Sequence, residues 1–236
     1  MKQNRIPRQN RAAGFTLVEM LVVIAIIAIL ASILIPVIAR SKTKAKVATA
    51  RVQMAEIDLA IKSYKSDYER YPMPMGQAVN SFGDVTFGDG FKAHNNVLMA
   101  ILFSEDTSSH PLLKGVNDGN RRNPKKNKYL DAKESGESSS VTPALPGVSR
   151  EMRYHDPFGN DYIVSMDKNG DGYCVDAFYG GLPNGALVGL KSVPKPGVGQ
   201  GYKGGVIIWT NGPDLERKNK QGVNDGVNAD NIVNWN

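Results

Sequence analysis

Gly14-Phe15-Thr16-Leu17-Val18-Glu19 runs straight into Met20–Ala39, MLVVIAIIAILASILIPVIA, twenty consecutive residues without a charge. As a helix rising about 1.5 Å per residue, this run covers roughly 30 Å, the hydrocarbon thickness of a bilayer. The buried helix of a soluble core is usually shorter. A cleaved secretory signal would carry a short apolar run closed by an Ala-x-Ala-like site, and no Ala-x-Ala occurs inside this run. The segment therefore reads as retained. Glu19 is the anomaly, because a carboxylate inside a bilayer is expensive and calls for a partner or for the headgroup level. Cleavage after Gly14 would create such a partner, the new α-amine of Phe15. In a bundle of copies, Glu19 of one chain can then pair with the amine of its neighbour.

Upstream lies a basic leader with Lys2, Arg5, Arg8 and Arg11. Leader, glycine, Phe15-Thr16-Leu17-Val18-Glu19 and the apolar run together resemble the type IV prepilin signal. The resemblance implies cutting by a prepilin peptidase between Gly14 and Phe15, N-methylation of Phe15, and a role for Glu19 in aligning subunits during assembly. Pro36 stands where such pilins often carry a helix-kinking proline. It also implies a single-pass protein of the bacterial inner membrane, with the leader in the cytoplasm and the C-terminal body in the periplasm or in a surface filament. Charge counting alone does not orient the chain. Arg40, Lys42, Lys44, Lys46 and Arg51 follow the run and nearly balance the leader.

Beyond the run, Val47, Ala50, Met54, Ile57, Ile61, Tyr64 and Tyr68 recur at steps of three and four, a single helical stripe. Lys46, Gln53, Glu56, Lys62 and Lys65 fill the other faces. Tyr71-Pro72 ends the pattern, since a proline disfavours helical geometry in the residue before it. The reading is one long helix whose first half spans a membrane or fills a filament core and whose second half docks on a sheet.

The remaining charge excludes little and suggests little. Of 29 basic and 23 acidic residues, four cations sit in the leader, and removing it leaves 25 against 23. The net charge of +6 is therefore no argument for nucleic acid, which is expected as a partner only if the filament serves DNA uptake. One cysteine, Cys174, excludes an intrachain disulfide and a Cys-based zinc site. His94, His110 and His155 share no metal spacing. Gly199-Gln200-Gly201-Tyr202-Lys203-Gly204 matches GxGxxG in form, but no strand precedes it and no helix follows.

In the body, Val97–Phe103 reads as one or two helical turns and Ser104–Gly147 as a long polar surface loop. Asp156-Pro157-Phe158-Gly159-Asn160-Asp161-Tyr162 is a turn leading into an alternating strand. It resembles the DPWGNPY-type segment of the major, G-type pseudopilins of type II secretion systems, with Phe158 for tryptophan and Asp161 for proline. Tyr173–Phe178 and Val206–Thr210 are the further strand candidates. Two or three antiparallel strands on the helix give an α+β fold. The domains read as leader 1–14, membrane or filament-core helix 15–39, amphipathic helix 40–71, variable region 72–150 and sheet region 151–236.

Two Asx-rich loops raise calcium. The tail resembles the C-terminal calcium loop of G-type pseudopilins, which implies Asp214, Asn228 and Asp230 as oxygen donors near Trp235. Asp167, Asn169 and Asp171 fit the first half of an EF-hand loop, but Phe178 occupies the position of its bidentate glutamate, so a tight Asx turn competes. The function implied is a non-enzymatic subunit of a type II secretion pseudopilus. Its partners would be further copies, other pseudopilins, the prepilin peptidase, the inner-membrane assembly platform and the membrane. A type IV pilus subunit for adhesion, motility or DNA uptake shares the same N-terminus. A membrane-tethered enzyme or a ligand-binding module on a pilin stem are the alternatives from other classes.

Overall fold

The protein is described by a computed structural model over residues 14–140, 142–181, 189–193, 199–218 and 226–235. The leader before Gly14, and Asn224 and Asp225 of the tail, lie outside the described residues. Helix α1 runs from Leu17 to Tyr68. It contains no glycine and one proline, Pro36. It ends where Glu69 turns to φ 54°, a left-handed cap, three residues before Pro72. The chain divides into two units within this helix, residues 1–44 and 45–236.

In the first unit the aliphatic side chains from Leu17 to Ile38 are exposed on every side of the helix. Its most apolar eighteen-residue window has a mean hydropathy of 3.2, and none of that window is buried.

The second unit is an α+β body. Strands β1 (Val85–Phe87), β4 (Ile163–Met166), β7 (Val206–Thr210) and β8 (Ile232–Val233) form a four-stranded sheet in the order β1-β4-β7-β8. Every pairing is antiparallel, with Thr86 opposite Ser165, Val164 opposite Ile208 and Trp209 opposite Val233. Two small ribbons flank it: β2 (Gly147–Val148) with β3 (Tyr154–His155), and β5 (Lys191–Ser192) with β6 (Gln200–Gly201).

Alternation along each strand sends side chains to two different cores. Val164, Met166, Val206, Ile208 and Ile232 meet Ala50, Met54, Ile57, Ile61 and Tyr64 of α1 and helix α2 (Asn96–Leu102). Ile163, Ile207, Trp209 and Val233 face the opposite layer, with Cys174, Tyr179 and Trp235. Both faces are covered, so β4 and β7 are buried throughout. The expected helical stripe is the buried one, with Val47 and Tyr68 half-buried at its ends.

Three expectations need correction. The sheet has four strands, because β1 and β8 are too short to show a pattern of their own. Tyr173–Phe178 is not a strand. Its one β-bridge among the described residues joins Cys174 to Tyr202, and the segment then bends so that Asp176 accepts from Ser165 Oγ at 2.7 Å and Trp209 Nε1 at 3.1 Å. Residues 104–147 do lack long elements, but they are not merely a surface loop. Leu113, Leu130, Asn117 and Asn123 are buried there. Asn123 donates to the carbonyls of Ile101 and Asn127, and Tyr64 and Tyr68 of α1 donate to Arg122 O and Asn123 Oδ1. Asparagine side chains satisfy backbone groups that no ladder reaches.

Candidate functional site

The N-terminal site is built by one helix start. Thr16 is the last non-helical residue before α1, and its Oγ1 accepts the Glu19 N–H at 3.2 Å. Glu19 Oε2 accepts in return from the Thr16 N–H and hydroxyl, each at 2.8 Å. This is a capping box, which satisfies amide donors that the first helical turn leaves open. Both residues lie after the Gly14–Phe15 bond, so cutting there leaves the box in place. Gly14 has no neighbour within 4 Å of where a Cβ would stand, and Phe15 is 79% exposed. Gly14 and Phe15, the two residues that share the bond, are both exposed.

Pro36 lies inside the unbroken helix. Having no N–H, it leaves the Ser32 carbonyl without its helical donor. Ser32 Oγ turns back to Ile29 O at 2.7 Å. Polar atoms thus gather at one level of an otherwise aliphatic helix.

The tail loop brings Asp214 and Asp230 together. The Asp214 N–H donates to Asp230 Oδ2 at 3.1 Å, while Asp214 Oδ1 accepts from the Glu216 N–H. Burial, followed by the neighbouring Asp214 charge, raises the Asp230 carboxyl above its usual range. Asn228 is turned elsewhere: its amide accepts from Lys218 N–H at 2.8 Å and donates to Lys218 O at 3.0 Å. Asp214 and Asp230 therefore adjoin in this loop, with Asn228 bracing it.

In the other Asx loop the carboxylates serve the backbone. Asp167 accepts from the Gly170 and Gly172 amides, Asn169 Oδ1 from Asp171 and Asp171 Oδ1 from Tyr173. These are nested Asx turns. Asp84, fully buried beside them, accepts from Lys168 and Val175 amides, and burial pushes its pKa up to about 6.

Asp156 organises the Asp156–Tyr162 turn. It accepts from the Phe158 and Asn160 amides and, at 2.6 Å, from the Thr210 hydroxyl at the end of β7. The strand-leading turn read from the sequence is thereby fastened to the sheet. Sequence reasoning missed what surrounds it: Arg153, His155 and Asp161 meet there with Asp89 and His94, residues too far apart in the chain to suggest one another. The glycine-rich match at 199–204 forms β6 and a bend, with no helix after it.

Residues 9–35 match the prokaryotic N-terminal methylation motif. Similarity to curated proteins covers a longer stretch than this motif. The chain is 40% identical over 65 residues to the type II secretion system core protein G of Aeromonas hydrophila, 28% of this chain and 46% of that protein. It is 35% identical over 65 residues to the protein of the same name from Pseudomonas aeruginosa, again 28% and 46%. It is 38% identical over 71 residues to the type IV major pilin protein PilA of Myxococcus xanthus, 30% of this chain and 31% of that protein. The matched stretch spans less than half the length of each of these relatives. No solved structure matches the chain. Residues 9–35 thus carry the prokaryotic N-terminal methylation motif, and part of the chain is similar to a secretion core protein G and to a major pilin.

Proposed function

We propose that the chain is a structural subunit of a type II secretion pseudopilus. A prepilin peptidase cuts between Gly14 and Phe15, and the Phe15 amine is methylated. The subunit waits in the bacterial inner membrane on one helix, its body in the periplasm. It then assembles on an inner-membrane platform with further copies and other pseudopilins to support protein export. Its chemistry is assembly rather than catalysis.

The observation that carries this reading is the helix headed by Glu19, with every large aliphatic side chain from Leu17 to Ile38 exposed. Apolar surface in water costs about 25 cal/mol per Å², so that helix needs lipid before assembly and neighbouring helices after it. In the drier bundle, the Glu19 carboxylate exchanges its contact with Thr16 for the neighbour's Phe15 amine, which fixes the stagger between subunits. A calcium ion at the tail would be structural, held by Asp214 and Asp230, and would tie the C-terminus to the body.

A type IV pilus subunit is the second reading, favoured by a similarity to PilA of the same order as that to core protein G. Intact mass and N-terminal sequence of protein from native membranes test the shared part: a chain beginning at Phe15 with one added methyl group supports it, and a chain retaining residues 1–14 refutes it. Deletion separates the two filaments. Loss of protein export points to a pseudopilus, and loss of twitching or transformation to a pilus.

A further inference from the structure

A polar cluster of unassigned role centres on Asp161, the residue standing where the resembled turn has proline. Its carboxylate is 1% exposed. Arg153 approaches it through Nε at 3.0 Å and Nη2 at 2.6 Å, and reaches Asp89 Oδ1 at 3.0 Å. His94 Nδ1 stands 4.0 Å from both Asp89 Oδ1 and Asp161 Oδ2. One ligand atom each from Asp89, His94 and Asp161 lie within 4.8 Å of one another. The independent observation is His155. It is 3% exposed and, among the described residues, neither ring nitrogen has a hydrogen-bond partner, although Nδ1 is 3.1 Å from Asp161 Oδ1. A cleft of about 270 Å³ opens onto Asp89, Arg153, His155 and Asp161, with the unpartnered Asn211 Oδ1 on its wall.

We infer that this cluster binds a divalent transition-metal ion of the zinc class, held by Asp89, His94 and Asp161 with His155 as the buried nitrogen donor. A nitrogen and an oxygen 3.1 Å apart, with no hydrogen bond joining them, have the spacing of two donors on one ion at metal–ligand distances of about 2.0–2.2 Å. A buried imidazole without a partner is costly, and coordination removes that cost. Mixed imidazole and carboxylate donors select zinc-class ions over calcium and magnesium, which take oxygen sets. Arg153 is the competitor, since it neutralises both carboxylates. Binding requires Nη2 to leave Asp89, while Nε stays on Asp161 and orients it from behind the ligand shell. Asp89 and His94 are surface residues, and His155 joins the group through Asp161 Oδ1 at 3.1 Å.

Cobalt(II) titration of the untagged full chain in detergent tests the site, because cobalt on nitrogen and oxygen donors absorbs visibly. The expected result is a band that saturates at one equivalent, is displaced by zinc and persists with excess calcium. His94→Ala weakens binding by about tenfold or more without altering the circular dichroism, since that side chain is half-exposed. Asp214→Asn leaves the band unchanged, which separates this site from the tail loop. Absence of a band, or a band unaltered by His94→Ala, overturns the inference.

Discussion

Thr16 and Glu19 hold each other at the head of α1, each accepting the other's backbone N–H, at 3.2 and 2.8 Å. Before assembly the carboxylate is thus already engaged by its own helix. In the proposed filament a neighbouring amine would displace that contact, so charge and capping are separable roles. Glu19→Gln keeps an acceptor for the cap and loses the charge, whereas Glu19→Ala loses both. Both variants should enter the membrane and give few sheared filaments. Normal filament yield from Glu19→Gln would show that charge does not guide assembly.

Gly14→Val should block processing without disturbing the fold, because nothing lies within 4 Å of a Cβ at that position. The expected product is a full-length, unmethylated chain by intact mass. A mature chain starting at Phe15 would place the peptidase's requirement elsewhere.

Ile57 is fully buried between α1 and the sheet, whereas Leu59 is 66% exposed on the same helix. Ile57→Ala should destabilise the body by about 2–5 kcal/mol. Leu59→Ala should stay within about 0.5 kcal/mol. Denaturant unfolding of the detergent-solubilised chain measures both, and equal effects would contradict the docking face.

Asp84 gives the body a pH signature. Burial raises its folded pKa to about 6, against about 4 in an unfolded chain. Between those values the folded state holds a proton that the unfolded state has released, so stability falls as pH rises through the window. The contribution is fully present below about pH 4 and is lost above about pH 6. Asp84→Asn should flatten the stability profile between pH 4 and 6 by about the share that Asp84 supplies. An unchanged slope would assign it to other carboxyls.

Calcium should raise the unfolding temperature if the tail loop holds it, and Asp230→Asn should abolish the rise. Asn228→Ala should lower stability even without calcium, because its amide clasps the Lys218 backbone. A calcium effect that survives Asp230→Asn would exclude this loop.

Much of the molecule was legible in the chain because its signals are local. The glycine, Phe15, Glu19 and the charge-free run are contiguous. The stripe from Ala50 to Tyr64 repeats at the helical period, and Val206–Thr210 is apolar enough to be a buried strand. Asp156 meets Phe158 and Asn160 within a single turn, so its motif is a local object too.

The rest was decided by the tertiary structure. Val85–Phe87 and Ile232–Val233 are strands only because β4 and β7 offer them partners. Cys174–Phe178 leaves the strand path because Asp176 finds Ser165 and Trp209. The asparagines of 117–123 are interior because distant carbonyls and tyrosines need them. Asp161, His94 and Asp89 carry no joint pattern in sequence, and the β1–β4 pairing, with Asn95 donating to the Tyr154 and Tyr162 carbonyls, sets them side by side. Periodicity records which face of an element is apolar. It does not record which distant group will satisfy a buried polar atom, because that depends on the packing of the whole body.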